Sequence, residues 1–153
     1  MNRNNIKILV INGPNLQLLG MREVDIYGHL SLKNIENNLL TAAKSFKGLE
    51  IIFYQSNHEG EIIDKIADAF YQQYDGIIIN PAAYTHTSLA ICDAVKAVKL
   101  PAVEVHISNI YKREEYRKHS YIAPACIGQI SGFGAKGYEY ALTALVDYIN
   151  QNK

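Results

Sequence analysis

The chain has 153 residues, 48% of them hydrophobic, which is about one domain's worth of sequence with enough apolar side chain for a core without metals or disulfides. Fifteen Lys and Arg balance fifteen Asp and Glu, and no polybasic run interrupts the balance, which argues against a nucleic-acid binder working through a basic surface. Cys92 and Cys126 form no CxxC pair, and the apolar run at residues 8–11 is too short for a signal peptide or membrane span, so a reduced, cytoplasmic protein is expected.

In chain order, the run at 8–11 predicts a first strand. Ser31 then caps a helix whose Ile35, Leu39, Ala42, Ala43 and Phe46 share one face, with Gly48 as its stop. A second strand at 51–54 precedes an apolar stripe of Ile62, Ile63, Ile66, Ala69 and Phe70. A third at 77–79 precedes the stripe Leu89, Ile91, Ala94, Val95 and Val98, closed by Pro101. Strands at 103–105 and 127–130 follow, then a last helix carrying Tyr140, Leu142, Leu145, Val146 and Ile149. Because the strand runs are continuous rather than alternating, they read as covered on both faces. The pattern predicts a flavodoxin-like, doubly wound α/β fold: a five-stranded parallel sheet in a three-layer α/β/α arrangement, with ligands bound beyond the carboxyl strand ends.

Those ends are rich in polar residues. The first runs into Asn12-Gly13-Pro14-Asn15-Leu16, with Gly20-Met21-Arg22-Glu23 and Tyr27-Gly28 beyond it. Gln55-Ser56-Asn57-His58-Glu59-Gly60 follows the second, and Asn80 opens the segment leading to Thr85-His86-Thr87-Ser88 after the third. Glu104-Val105-His106-Ile107-Ser108-Asn109 and Arg113-Glu114-Glu115-Tyr116-Arg117 follow the fourth. Three of the four arginines (Arg22, Arg113 and Arg117) lie here, a concentration that suits a small anionic substrate held by planar forks.

Several chemistries lack their residues. No HExxH, GxSxG or GKS/GKT is present, and the five histidines have no metal-ligand spacing, so no metal is expected. Residues 13–20 contain no hydroxyl side chain for a flavin phosphate, and no lysine stands at a carboxyl strand end for a Schiff base. Gly132-Phe133-Gly134-Ala135-Lys136-Gly137 is a literal GxGxxG. A dinucleotide site would need a further strand with an acidic residue, so a tight turn with close helix packing is the expected reading.

Five collinear motifs resemble type II 3-dehydroquinate dehydratase: Asn12-Gly13-Pro14-Asn15-Leu16 with Gly20-x-Arg22-Glu23 and Tyr27-Gly28; Gln55-Ser56-Asn57-x-Glu59-Gly60; Thr85-His86-Thr87-Ser88; Glu104-Val105-His106-Ile107-Ser108-Asn109; and Arg113-Glu114-x-x-Arg117-x-x-Ser120. The resemblance spans nearly the whole chain. Ala82 departs from it, standing where glycine is usual.

The resemblance implies a flavodoxin-like fold and a homo-oligomer, a dodecamer built as a tetramer of trimers. It also implies anti elimination of water from 3-dehydroquinate through an enolate to 3-dehydroshikimate, without metal or cofactor. Tyr27 would be the base, with Arg22 as the neighbouring cation that favours the phenolate. His106 would protonate the departing hydroxyl, and Glu104, two residues earlier on an extended strand end, would orient its ring. Asn15 would hold a water or the enolate oxygen. Asn80, His86, Ile107, Ser108, Arg113 and Arg117 would bind the hydroxyls and carboxylate, and Asp93 would reach a neighbouring subunit's site. Residues 17–27, bounded by Gly20 and Gly28, read as a lid over the substrate. The competing classes are a non-enzymatic small-anion binder, which would not need Tyr27 together with His106, and a nucleotide-binding oxidoreductase.

Overall fold

The computed structural model describes residues 5–21 and 23–152. Strands β1 (Ile6–Asn12), β2 (Leu49–Gln55), β3 (Gly76–Asn80), β4 (Ala102–His106) and β5 (Gly128–Ser131) form one all-parallel sheet in the order β2-β1-β3-β4-β5. This is the expected flavodoxin-like winding. A single helical turn, α1 (Val24–Tyr27), precedes the helices α2 (Leu32–Ala43), α3 (Glu59–Tyr71), α4 (Leu89–Val98) and α5 (Lys136–Gln151). Helix α2 begins with a reciprocal cap: Ser31 Oγ accepts from the Asn34 amide while Asn34 Oδ1 accepts from the Ser31 amide.

Alternate side chains of the central strands enter two separate cores. Ile8, Val10, Ile78, Val103 and Val105 pack with Leu39 of α2 and Leu142, Leu145 and Val146 of α5. Leu9, Ile11, Ile77 and Ile79 pack with Ile62 and Ile66 of α3 and Ile91 and Val95 of α4. Burying one such aliphatic side chain contributes about 1.5–3 kcal/mol, so the two cores hold the sheet rigidly enough to fix its carboxyl edge.

The structure differs from the sequence expectation at the margins. β2 and β5, each with one strand neighbour, are only partly covered, unlike the buried β3 and β4. Phe70, Leu89 and Tyr140, counted in apolar stripes, face outward, and Tyr138 is instead the fully buried aromatic of α5. The glycine-rich segment is a turn with close packing. Gly132 has φ +96°, and a Cβ there would stand 2.8 Å from Asn109 Cβ. Gly137 faces the sheet, but a Cβ there would meet Ile130 and Val105 at an ordinary contact distance of 3.5 Å, so the close packing rests on Gly132.

Candidate active site

β1 and β3 are neighbours whose following connections diverge, which opens a crevice at their carboxyl ends. The floor is a buried chain of polar groups. Asn80 Nδ2 donates to the Tyr138 hydroxyl at 2.8 Å, and that hydroxyl donates to Asn12 Oδ1 at 2.6 Å. Burial raises the Tyr138 phenol far above its usual range, so it stays a neutral donor. Asn80 Oδ1 accepts from the Ala82 amide at 3.1 Å, which turns the chain sharply after β3.

Ala82 takes φ +52° in that turn, where a side chain is strained and glycine is not. Relieving about 1–2 kcal/mol of left-handed strain outweighs the added freedom of the unfolded glycine chain. Ala82→Gly is therefore expected to stabilise the fold by up to about 1 kcal/mol, read as a higher melting temperature. A lower melting temperature would show that the methyl's packing outweighs the strain.

The crevice holds a cavity of about 120 Å³. Asn15, Tyr27, Asn80, His86, His106, Ile107, Ser108, Arg113 and Arg117 all line it, so tertiary folding brings together residues from five separated segments. Arg22 lies outside the described residues. Asp93 is exposed on α4 and does not line the cavity of its own chain. Glu104, wholly buried, lies behind His106 rather than on the cavity wall.

Glu104 and His106 point to the same side of β4. His106 Nε2 lies 2.6 Å from Glu104 Oε1. Thr85 Oγ1 also donates to Oε1, Ser120 Oγ lies 2.9 Å from Oε2, and Gln129 Nε2 donates to Oε2 at 3.3 Å. Burial pushes this carboxyl up, but the hydrogen bonds and charge of His106, with Thr85 and Ser120, outweigh it and hold the carboxyl below its ordinary range. An ionised carboxylate only accepts, so the proton between the two groups sits on Nε2. Nδ1 is thereby left to exchange a proton with something else.

His86 is arranged oppositely. Its Nδ1 donates to the His119 carbonyl at 2.8 Å, and its ring stacks near that of His106, with centroids 6.4 Å apart. Burial pulls its pKa down, and the nearby His106 and Arg117 charges pull the same way against the carbonyl hydrogen bond. A neutral His86 keeps Nε2 as an acceptor for a hydroxyl.

Residues 17–21 and 23–27 are folded rather than an extended loop. Leu16–Leu18 form a 3₁₀ turn, Leu19 is buried, and α1 presents Tyr27. Gly20, at φ +84°, lies so close to the His29 carbonyl that a Cβ would stand 2.9 Å from its oxygen. Arg113 Nη1 donates to the Tyr27 hydroxyl at 3.2 Å, and its guanidinium carbon lies 5.7 Å from the centre of the Tyr27 ring. The same Nη1 is 3.4 Å from Ser108 Oγ. Glu114 Oε2 lies 3.4 Å from Arg113 Nε and 3.2 Å from Arg117 Nε, so one carboxylate spans both arginines. Asn15 takes a left-handed φ of 68°, with its amide donating to Asn57 Oδ1 at 2.9 Å.

Sequence reasoning left Tyr138, Thr85, Ser120 and Gln129 without roles. Thr85 and Ser120 lie inside quoted motifs, a signal that was available. Tyr138 and Gln129 lie outside the quoted motifs; the packing of α5 brings the first to the site and the β4–β5 register the second.

Tyrosine, a carboxylate-backed histidine and arginines around one small cavity suit acid–base chemistry on a small anion, and the family supports that class. The family model for dehydroquinase class II matches residues 6–146, and the chain belongs to this family. The 3-dehydroquinate dehydratase of Carboxydothermus hydrogenoformans is 58% identical, over 95% of this chain and 94% of its own length. That of Caldicellulosiruptor saccharolyticus is 60% identical, over 94% and 98%. The crystal structure of a type II dehydroquinase from Butyrivibrio crossotus superposes with a TM-score of 0.88 at 51% identity, covering 95% of this chain and 98% of that one.

Proposed function

We propose that this chain is a type II 3-dehydroquinate dehydratase, a hydro-lyase that converts 3-dehydroquinate to 3-dehydroshikimate on the route to chorismate and aromatic amino acids. The observation that carries the reading is one cavity that holds a cation-paired tyrosine and a carboxylate-backed histidine together. Tyr27 as phenolate takes the proton beside the ketone, and the Arg113 guanidinium, with Arg22, stabilises its negative charge. The electron pair moves onto the ketone oxygen as an enolate, with Asn15 placed to hold that oxygen or its water. The enolate then collapses, the carbon–oxygen bond breaks, and His106 gives a proton to the departing hydroxyl. Glu104 compensates the positive imidazolium that this step requires. The products are the conjugated enone and one water, and solvent resets the two protonation states.

Arg117 and Ser108 bind the substrate carboxylate and hydroxyls, and Asn80, His86 and the Ile107 backbone complete the set. Mixing the protein with 3-dehydroquinate should produce the absorbance of a conjugated enone, with or without chelator, since the histidines lack ligand spacing. Tight binding of the substrate without that absorbance would establish the small-anion binder instead.

No helix among the described residues is long and apolar enough to cross a membrane, and the reading places the enzyme in the cytoplasm. Its working unit is a dodecamer, a tetramer of trimers, in which Asp93 reaches a neighbour's site. The exposure of Asp93 outside its own cavity supports this role. Asp93→Asn is expected to weaken substrate binding in the assembled protein, or to loosen the assembly, because losing one partner of a buried charge pair is costly. Light scattering with kinetics separates these outcomes. A fully active 17.2 kDa monomer would overturn the oligomer reading, and unchanged affinity and assembly in the variant would make Asp93 a solvated charge.

A further inference from the structure

The β4–β5 register pairs Glu104 directly with Gln129. Neighbouring strands stand about 4.8 Å apart, so paired residues project to the same side within reach of each other. Gln129 Nε2 accordingly donates to Glu104 Oε2 at 3.3 Å, on the oxygen that does not face His106. Ser120 also lies near Oε2, but its single proton is shared with Oε1, 3.0 Å away. The Gln129 amide is therefore the donor committed to Oε2 among the described residues. Its orientation is compelled: the carboxylate accepts only, so nitrogen faces Glu104, and Gln129 Oε1 accepts from the Tyr111 hydroxyl at 3.2 Å. Tyr111 lies two residues before Arg113, so the amide ties the arginine-bearing segment to the carboxylate.

We propose that Gln129 is a positioning residue for the Glu104–His106 pair, holding the carboxylate in the plane that aims Oε1 at the imidazole. The proposal rests on the dehydratase reading above. Among the described residues, the Glu104 charge also acts on His86 and Cys126. The Cys126 thiol is pushed up to about 12 by burial and the Glu104 charge, so it stays protonated and does not compete as a base.

Gln129→Met keeps the length of the side chain and removes the donor. Its kcat is expected to fall about tenfold, the worth of a hydrogen bond to a charged group, while KM stays within about twofold. The acid limb of the kcat profile should move to higher pH, because a carboxylate that loses a donor protonates more readily. Tyr111→Phe, on an exposed side chain, should act in the same direction more weakly and carries the test if Gln129→Met does not fold. Nitrogen NMR of His106 in the ligand-free proteins gives a readout independent of turnover, with the Nε2 resonance shifted in both variants. Folded variants with unchanged kcat, acid limb and His106 resonances would overturn the proposal, as would a raised KM at constant kcat. Absence of enone formation by the unsubstituted protein would sink the dehydratase reading, while the His106 resonances would still decide the role of Gln129.

Discussion

Tyr27→Phe is expected to leave the chain folded and able to bind 3-dehydroquinate, and to lower turnover at least about a hundredfold, the worth of a positioned base. The ring of Tyr27 packs against the core on the α2 and α5 side, and phenylalanine keeps that packing. What the substitution removes is the hydroxyl that accepts from Arg113 Nη1, and with it the atom able to take the substrate proton. The Arg113 guanidinium also loses a partner, since its hydrogen bond to Tyr27 is what chiefly raises its pKa. Substrate affinity is therefore expected to change little while kcat and kcat/KM fall together, the pattern of an interaction made only in the transition state. Steady-state kinetics with a direct binding measurement tests this. Turnover close to that of the parent would remove Tyr27 from the mechanism.

Glu104→Gln is expected to damage both catalysis and stability. The amide has nearly the shape of the carboxylate, but it is neutral and carries two donors of its own. Its oxygen cannot compensate an imidazolium at His106, and its nitrogen faces a shell built of donors: His106, Thr85, Ser120 and Gln129. Turnover should drop at least about a hundredfold, because proton donation by His106 loses the group that orients and charges it. Stability should fall on the order of 3 kcal/mol from buried donors left facing one another.

The pH dependence of stability has a definite sign. The Glu104 carboxyl ionises more readily in the folded chain than in the unfolded one, so its contribution is present above the unfolded pKa and is lost as pH falls through the lower, folded value. The parent should therefore lose stability in acid below the ordinary carboxylate range, and Glu104→Gln should lose less over the same interval. His86, whose pKa is pulled down by burial, adds a dependence of the same sign nearer neutrality in both proteins. Thermal melts across the acid range measure the difference. A steeper acid loss in the variant would contradict the assignment.

The order of strands and helices was legible in the chain because it depends on short-range patterning. Continuous apolar runs such as residues 77–79 have to be covered on both faces, and the helical stripes between them supply the cover. Much of the site was legible too, since doubly wound sheets bring their carboxyl strand ends together, and Asn15, Asn80 and His106 sit at those ends. Where an apolar side chain goes at a helix end was not legible: Phe70 and Leu89 fit their stripes by spacing and still face outward.

The sequence alone thus determined the parallel α/β winding, the polar strand ends and, through motif order, the family. Tertiary structure decided which of those polar groups touch. Among the described residues, Arg113, 86 positions from Tyr27, is a cation that donates to its hydroxyl. Tyr138, 58 positions from Asn80, closes the cavity floor. Gln129 meets Glu104 because β5 pairs with β4 in that register and no other. Contacts of this kind depend on strand order, register and helix packing summed over the whole sheet, and a one-residue slip of β5 would turn Gln129 to the opposite face.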